Sequence, residues 1–217
     1  MKRLTLLLLL VAGTAAGAAA GGASGFIVTR FALPPFLVTL AAMLVARGFA
    51  FILCGGQPLY DGLPPGLVAL GRGFVFEGAL GRVLPVPVLV MLLGFGLFHF
   101  LLAHTVFGRS VVAVGSNEEA ARLAGIPVGR TRRLAYLVTG GLCGLVGVMQ
   151  TGKLMAADPK VGEMWELNVI AAVVVGGTSL FGGRGSIPGT LVGALVIGVL
   201  NNSLNLLQVE HFWQKVV

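Results

Sequence analysis

An all-α, polytopic transmembrane helical bundle is the fold class this sequence predicts, and three observations predict it. Hydrophobic residues make up 56% of the 217 positions and charged residues 11%, whereas a soluble domain carries about 25% charged residues. So few charges cannot cover a folded surface, and lipid must cover part of it. Apolar runs close to the roughly 20 residues needed to span a bilayer recur along the chain. The 34 glycines lie inside apolar stretches beside Leu, Val and Ala rather than in polar linkers, which suits helices whose backbones approach closely in a membrane. Residues 1–217 read as a single transmembrane domain.

The runs are Leu4 to Val28, Leu33 to Leu53, Val83 to Phe107, Leu134 to Thr151 and Ile187 to Val209, with the fourth slightly short. Val169 to Leu180 is too short to span alone. The expectation is therefore about five spans plus one short segment. The first run also has the outline of a secretory signal: Lys2 and Arg3, then Leu4 to Val11, then Ala18-Ala19-Ala20. Against that, Gly13, Gly17, Gly21 and Gly25 recur every fourth residue. This spacing lines one helix face with glycine and makes a packing seam.

Charge sets the orientation. The segment Gly108 to Arg133 carries Arg109, Arg122, Arg130, Arg132 and Arg133 against Glu118 and Glu119, so the positive-inside rule places it in the cytoplasm. Cys54 to Arg82 is then external, and counting back through the spans puts the N-terminus outside. Lys2 and Arg3 favour the opposite. Either an early segment is re-entrant or the natural chain has helices before Met1; the second is preferred. The formal charge of +7 brings no basic stripe with interleaved aromatics, so nucleic acid is not an expected partner. Cys54 and Cys143 have no Cys or His neighbour at metal spacing, and Cys143 reads as a small hydrophobe.

Within the basic segment, Ser116-Asn117-Glu118-Glu119 reads as a capping box, with Ser116 accepting from the N–H of Glu119 and Glu119 reaching back to Ser116. Ala120, Ala121, Arg122, Leu123 and Ala124 continue a helix. Gly125 suits its left-handed C-terminus and Pro127 ends it. About two turns are too few to be stable alone in water, so this helix must dock on its own membrane domain or on a partner.

The stretch Gly176-Gly177-Thr178-Ser179-Leu180-Phe181-Gly182-Gly183-Arg184-Gly185-Ser186 lacks the spacing and the lysine of a phosphate-cradling loop. No nucleotide motif occurs elsewhere, so the chain is not expected to be an enzyme or to hold a cofactor. Glycine at this density reads either as irregular backbone at membrane depth, in a pathway or re-entrant region, or as a plain turn. Pro188 then falls in the first turn of the next helix. Asn201, Asn202 and Asn205 interrupt the last span, with Asn201 and Asn205 on one face. They either line a route for a hydroxyl-rich solute or bond a neighbouring helix. His99 and His104 do not share a helix face, so a metal site is not expected. Asp158, Glu163 and Glu166 read as solvated loop residues beside an interfacial Trp165.

Several blocks carry a family resemblance. They are Leu33-Pro34-Pro35-Phe36-Leu37-Val38-Thr39-Leu40 with Arg47-Gly48, then Gly55-Gly56-Gln57-Pro58, then Val114 to Ile126. The densest runs from Glu166 to Leu206 and includes Gly176 to Leu180, Gly183 to Ser186 and Asn201-Asn202. In these the chain resembles the membrane subunits of bacterial ABC importers for monosaccharides, of the ribose-permease type. The resemblance implies a multi-pass protein of the bacterial inner membrane. It implies a translocation path formed with a second permease subunit, identical or not, and delivery of solute by a periplasmic sugar-binding protein. ATP would be used by a separate ATP-binding subunit. Residues Ser116 to Ile126 would be the coupling helix, with Glu118, Glu119 and Arg122 biasing the docking geometry and Leu123 as apolar anchor.

The family's segment ahead of Leu4 and its final span after Val217 have no counterpart here, so the chain reads as a fragment or truncated product. Three other readings stand beside the sugar permease. One is a permease for branched-chain amino acids in the same importer class, less favoured by Gly176 to Leu180 and Asn201-Asn202. Another is a secondary transporter or passive pore, although no inverted repeat is visible. The last is a non-functional remnant.

Overall fold

The structure, a computed structural model, describes residues 2–60, 62–75, 77–78, 81–82 and 84–208. The helices are α1 (Lys2–Phe31), α2 (Pro35–Cys54), α3 (Pro65–Arg72), α4 (Val86–His104), α5 (Val106–Ser116), α6 (Glu118–Leu123), α7 (Val128–Leu154), α8 (Trp165–Val175) and α9 (Ile187–Leu206). Two short strands, β1 (Glu77–Gly78) and β2 (Gly81–Arg82), pair antiparallel between α3 and α4.

Among the described residues five helices are long and apolar enough to cross a membrane: Leu4–Phe31, Pro35–Cys54, Val86–His104, Val128–Leu154 and Ile187–Leu206. At 1.5 Å per residue the shorter ones extend about 30 Å, the thickness of a hydrocarbon core. Their surfaces require that solvent. Among the described residues the buried hydrophobic ones are Val28, Leu67, Ala121, Val128, Ala156 and Ala172, and α2 and α4 bury none. Apolar surface this extensive must meet lipid or other protein. The chain is a multi-pass, all-α membrane protein, as its composition predicts.

Two run boundaries differ most from the sequence expectation. The third run does not continue to Phe107. The helix stops at His104, and Thr105 takes an extended conformation and caps α5, its side chain accepting from Gly108 N–H at 3.2 Å. The segment Gly108 to Arg133 is accordingly mostly helical, divided among α5, α6 and the start of α7. The fourth run is not short. Arg130, Arg132 and Arg133 belong to α7, which has 27 residues; arginine is a good helix former, so charge marks the membrane edge without ending the helix. Val83 and Val209, expected run ends, lie outside the described residues.

The chain divides into two compact units, one of Met1–Leu93 with Pro127–Val161, the other of Gly94–Ile126 with Gly162–Val217. In the first unit the glycine face of α1 packs on α7. A Cβ on Gly17 would meet the carbonyl oxygen of Gly140 and lie 2.8 Å from the Gly144 nitrogen. Gly21 faces Tyr136 and Gly140, and Gly13 faces Gly144 and Val148. At Gly17 and Gly21 the seam is backbone against backbone, and at Gly13 and Gly25 the α1 backbone receives the side chains of Val148 and Tyr136; the fourfold spacing in α1 predicts this close-packing face. The hydroxyls of Thr14 and Ser24 in α1 are satisfied locally: Thr14 donates to the Leu10 carbonyl at 2.7 Å and buried Ser24 to that of Ala20 at 2.9 Å. No water is needed at membrane depth.

At the other end of α7, α3 seats Gly71 on Gly152 and Lys153 and buries Leu67. Arg72 donates through Nε to the Lys153 carbonyl at 2.6 Å, supplying a partner to an otherwise orphaned helix-end acceptor. Leu59 and Ala157 exchange backbone hydrogen bonds at 3.0 and 2.9 Å, tying the segment after α2 to the one after α7.

In the second unit α8 and α9 form a close hairpin. A Cβ on Gly193 would collide with the Ala172 carbonyl, and Gly176 and Gly189 exclude side chains from each other's backbone. Ser186 caps α9 by accepting from Gly189 N–H at 3.1 Å, and Pro188 sits in the first turn, as expected from the missing proline donor.

Candidate coupling helix and glycine loop

The six residues of α6, Glu118–Leu123, have both ends specified. The N-terminal cap differs from the capping box read from the sequence. Asn117 is the cap: its backbone is extended and its Oδ1 accepts from Ala120 N–H at 2.9 Å. Ser116 instead closes α5, with its hydroxyl donating to the Val112 carbonyl at 3.0 Å. The physical reason is competition for Ser116. As the last helical residue of α5 it has a carbonyl acceptor one turn back, and asparagine caps as well as serine does. Glu119 has no part in a reciprocal box. Glu118 pairs with Arg122 at 3.3 Å across one turn, and both acidic residues lie at the positive end of the helix dipole.

The C-terminus matches the expectation. Gly125 has φ +79°. Its N–H donates to Arg122 O at 3.0 Å, and that of Ile126 donates to Ala121 O at 3.0 Å. This is the paired closure of a Schellman motif. Ala121 is buried, whereas Leu123 is 86% exposed and Glu119 and Ala120 are exposed too. Because Asn117 rather than Ser116 is the cap, Asn117→Ala is expected to cost α6 about 1 kcal/mol. Asn117→Ser should cost much less. Amide exchange at Ala120, measured by mass spectrometry, checks this; equal protection in both variants would contradict it.

The stretch from Gly176 to Ser186 is irregular backbone, one of the two readings its composition allows. Gly176 terminates α8, and Gly177 N–H and Thr178 N–H donate to Val174 O and Val173 O at 2.9 and 3.1 Å. Gly177, Gly182 and Gly183 have positive φ. Ser179 N–H donates to Arg184 O at 2.9 Å, closing the loop on itself. At its tip Leu180 and Phe181 are 69% and 98% exposed.

The loop is seated on the end of α5. A Cβ on Gly115 would lie 2.8 Å from Gly183 N, and one on Gly182 would lie 2.6 Å from Gly115 O. One on Gly183 would lie 2.6 Å from Ser116 Oγ. The Ser116 hydroxyl also lies 3.5 Å from Gly183 O. The two stretches read separately in the sequence, 116–125 and 176–186, thus meet through Ser116 and Gly183. Sequence reasoning misses Gly115 and Gly182 as members of this contact. The available signal was the glycine pair itself, but nothing in a sequence says which backbone it faces.

Asn201, Asn202 and Asn205 are not part of this contact. They are exposed on α9, about 21 to 27 Å along the helix from its start at Ile187. His104 stacks on Phe100, with ring centroids 5.2 Å apart. Cys54 and Cys143 are free thiols.

Among the described residues, five membrane-length helices, a glycine-sealed hairpin and a short capped helix between spans define a polytopic helical membrane protein. More particularly, the chain belongs to the family described as branched-chain amino acid transport system / permease component, which matches residues 1–217. It is 46% identical over 195 residues to the ribose import permease protein RbsC of Bacillus subtilis (strain 168), covering 89% of this chain and 59% of that protein. It is 41% identical over 211 residues to the RbsC of Escherichia coli (strain K12), covering 97% and 65%. The L-arabinose transport system permease protein AraH of Escherichia coli (strain K12) is 38% identical over 207 residues, covering 95% and 61%. The chain therefore spans 59% to 65% of the length of these curated relatives. No solved structure matches it.

Proposed function

We propose that this chain is the membrane-spanning subunit of an ATP-driven importer for monosaccharides in the bacterial inner membrane. It forms the translocation path with a second permease subunit and takes solute from a periplasmic sugar-binding protein. It is driven through α6 by a separate ATP-binding subunit. The observation that carries the reading is α6 itself: a helix too short to be stable alone, closed at both ends, with Ala121 buried and Leu123 exposed. Such an element suits docking in a groove of a partner. The relatives' printed names, ribose import permease and L-arabinose transport permease, supply the substrate class.

On this reading Ser116, Asn117, Glu118, Glu119, Ala120, Ala121, Arg122, Leu123 and Gly125 form the coupling element. Gly176, Gly177, Thr178, Ser179, Gly183 and Arg184 form a re-entrant or pathway region, together with Asn201, Asn202 and Asn205. Irregular backbone with positive-φ glycines beside a helix of 11 residues favours re-entry. That helix is about 16 Å long, roughly half a hydrocarbon core. The amides of the last group can both donate to and accept from sugar hydroxyls.

A second reading, import of branched-chain amino acids, is favoured by the family's description. Uptake of labelled ribose, L-arabinose and leucine by cells with and without the gene separates the two. The account expects gene-dependent uptake of a pentose and co-purification of the chain with an ATP-binding protein. Gene-dependent uptake of leucine alone, or transport with no ATP-binding partner, would overturn it.

A further inference from the structure

We infer that the seat of Gly182 and Gly183 on Gly115 and Ser116 is the mechanical joint through which displacement of α6 reaches the α8–α9 hairpin. The inference rests on the reading of α6 as the coupling helix. All the parts belong to one compact unit. Ser116 ends α5 and the next residue, Asn117, caps α6, so a push on α6 acts first at this point of the chain. The surface met there is main chain together with the short Ser116 side chain. Gly115 faces Gly183 N, Gly182 faces Gly115 O, and Gly183 faces the Cα, Cβ and Oγ of Ser116. Side chains can change rotamer and absorb a displacement, but two backbones in contact cannot.

The loop is poorly able to absorb the displacement as well. Its ends are held by the paired closure on Val173 and Val174 and by the Ser186 cap, and its middle by Ser179 to Arg184. Beyond it, Gly176, Gly189 and Gly193 lock α8 to α9 without intervening side chains. A rigid path of backbone contacts thus runs from the N-terminus of α6 to a helix pair at membrane depth. The positive φ of Gly182 and Gly183 is what turns this loop face toward α5, and only glycine holds that conformation without penalty.

The test uses variants at the native gene, assayed for ATP-driven solute uptake, for co-purification of the ATP-binding subunit and for its ATP hydrolysis. Gly183→Ala places a Cβ against Ser116 and is expected to lower uptake about tenfold or more while the ATP-binding subunit stays bound and active. Gly162→Ala is the control for backbone strain. Its φ of +83° is similar to the +75° of Gly183, but a Cβ there meets nothing within 4 Å. Its uptake should stay within about twofold of wild type. Ser116→Gly, combined with Gly183→Ala, removes the Oγ and Cβ contacts at 2.6 and 3.1 Å and leaves the Ser116 Cα at 2.8 Å, so uptake should recover in part, about threefold over Gly183→Ala alone.

Wild-type uptake in Gly183→Ala would overturn the joint, and so would failure of Ser116→Gly to restore it. Membrane levels of every variant are measured alongside and uptake is compared per inserted chain; a loss in Gly183→Ala that disappears on that comparison is a folding defect and would overturn the joint. Glu119→Ala with Leu123→Ala, run in parallel, separates the two levels. If it loses uptake while Gly183→Ala does not, the joint is wrong and the coupling reading stands. If it retains uptake, the coupling reading fails and the joint with it.

Discussion

Gly17→Val is expected to prevent stable association of α1 with α7, with a loss of about 3 kcal/mol or more, the upper part of the range for overpacking. At this position a Cβ alone would already meet the Gly140 carbonyl oxygen and come within 2.9 Å of the Gly144 Cα. Neither is the end of a flexible side chain that can swing away. The helices would have to part, and with them the contacts of Gly13, Gly21 and Gly25 along the same seam. Gly147→Val is the matched control, in α7 and with nothing within 4 Å of its added Cβ. It carries the helix-propensity change without the collision. Thermal unfolding of the two variants in detergent, with their steady-state levels in membranes, checks this. Equal stability would mean that the glycine seam does not set the approach of these helices.

Glu119→Ala combined with Leu123→Ala is expected to lower ATP-driven uptake by roughly tenfold to a hundredfold. An apolar side chain of this size transfers about 1.5–3 kcal/mol when it leaves water for a partner's pocket, and each 1.4 kcal/mol is about tenfold in affinity. The double variant removes exposed groups and leaves the helix intact, because Asn117, the buried Ala121 and the Gly125 closure are untouched. Insertion should be normal and the ATP-binding subunit should still hydrolyse ATP, so the lesion is in coupling. Uptake equal to wild type would remove α6 from the transport cycle.

The features legible in the sequence were those with a local cause. Span length and apolar composition give the five long helices, the fourfold glycine spacing gives the seam of α1, and Gly125 followed by Pro127 gives the end of α6. What was not legible depended on competition or on distant contact. Ser116 and Asn117 are both good caps, and which one caps is decided by whether α5 extends as far as Ser116. The corner at Thr105 is set by Gly108 packing on the carbonyls of Leu101 and Leu102, a contact that an apolar run conceals. The start of α7 among its arginines was hidden because charge was read as the boundary of a span and not of a helix. The meeting of Gly183 with Ser116 joins residues 67 positions apart, and no periodicity encodes it.

The central claim is that α6 faces the cytoplasm, where an ATP-binding subunit can reach it. Leu123→Cys, in a chain whose Cys54 and Cys143 are replaced by serine, places one thiol at a side chain that is 86% exposed. A membrane-impermeant maleimide then reports its side. The account predicts labelling in inside-out vesicles and none in intact spheroplasts. Labelling in spheroplasts, with inside-out vesicles protected, would contradict it.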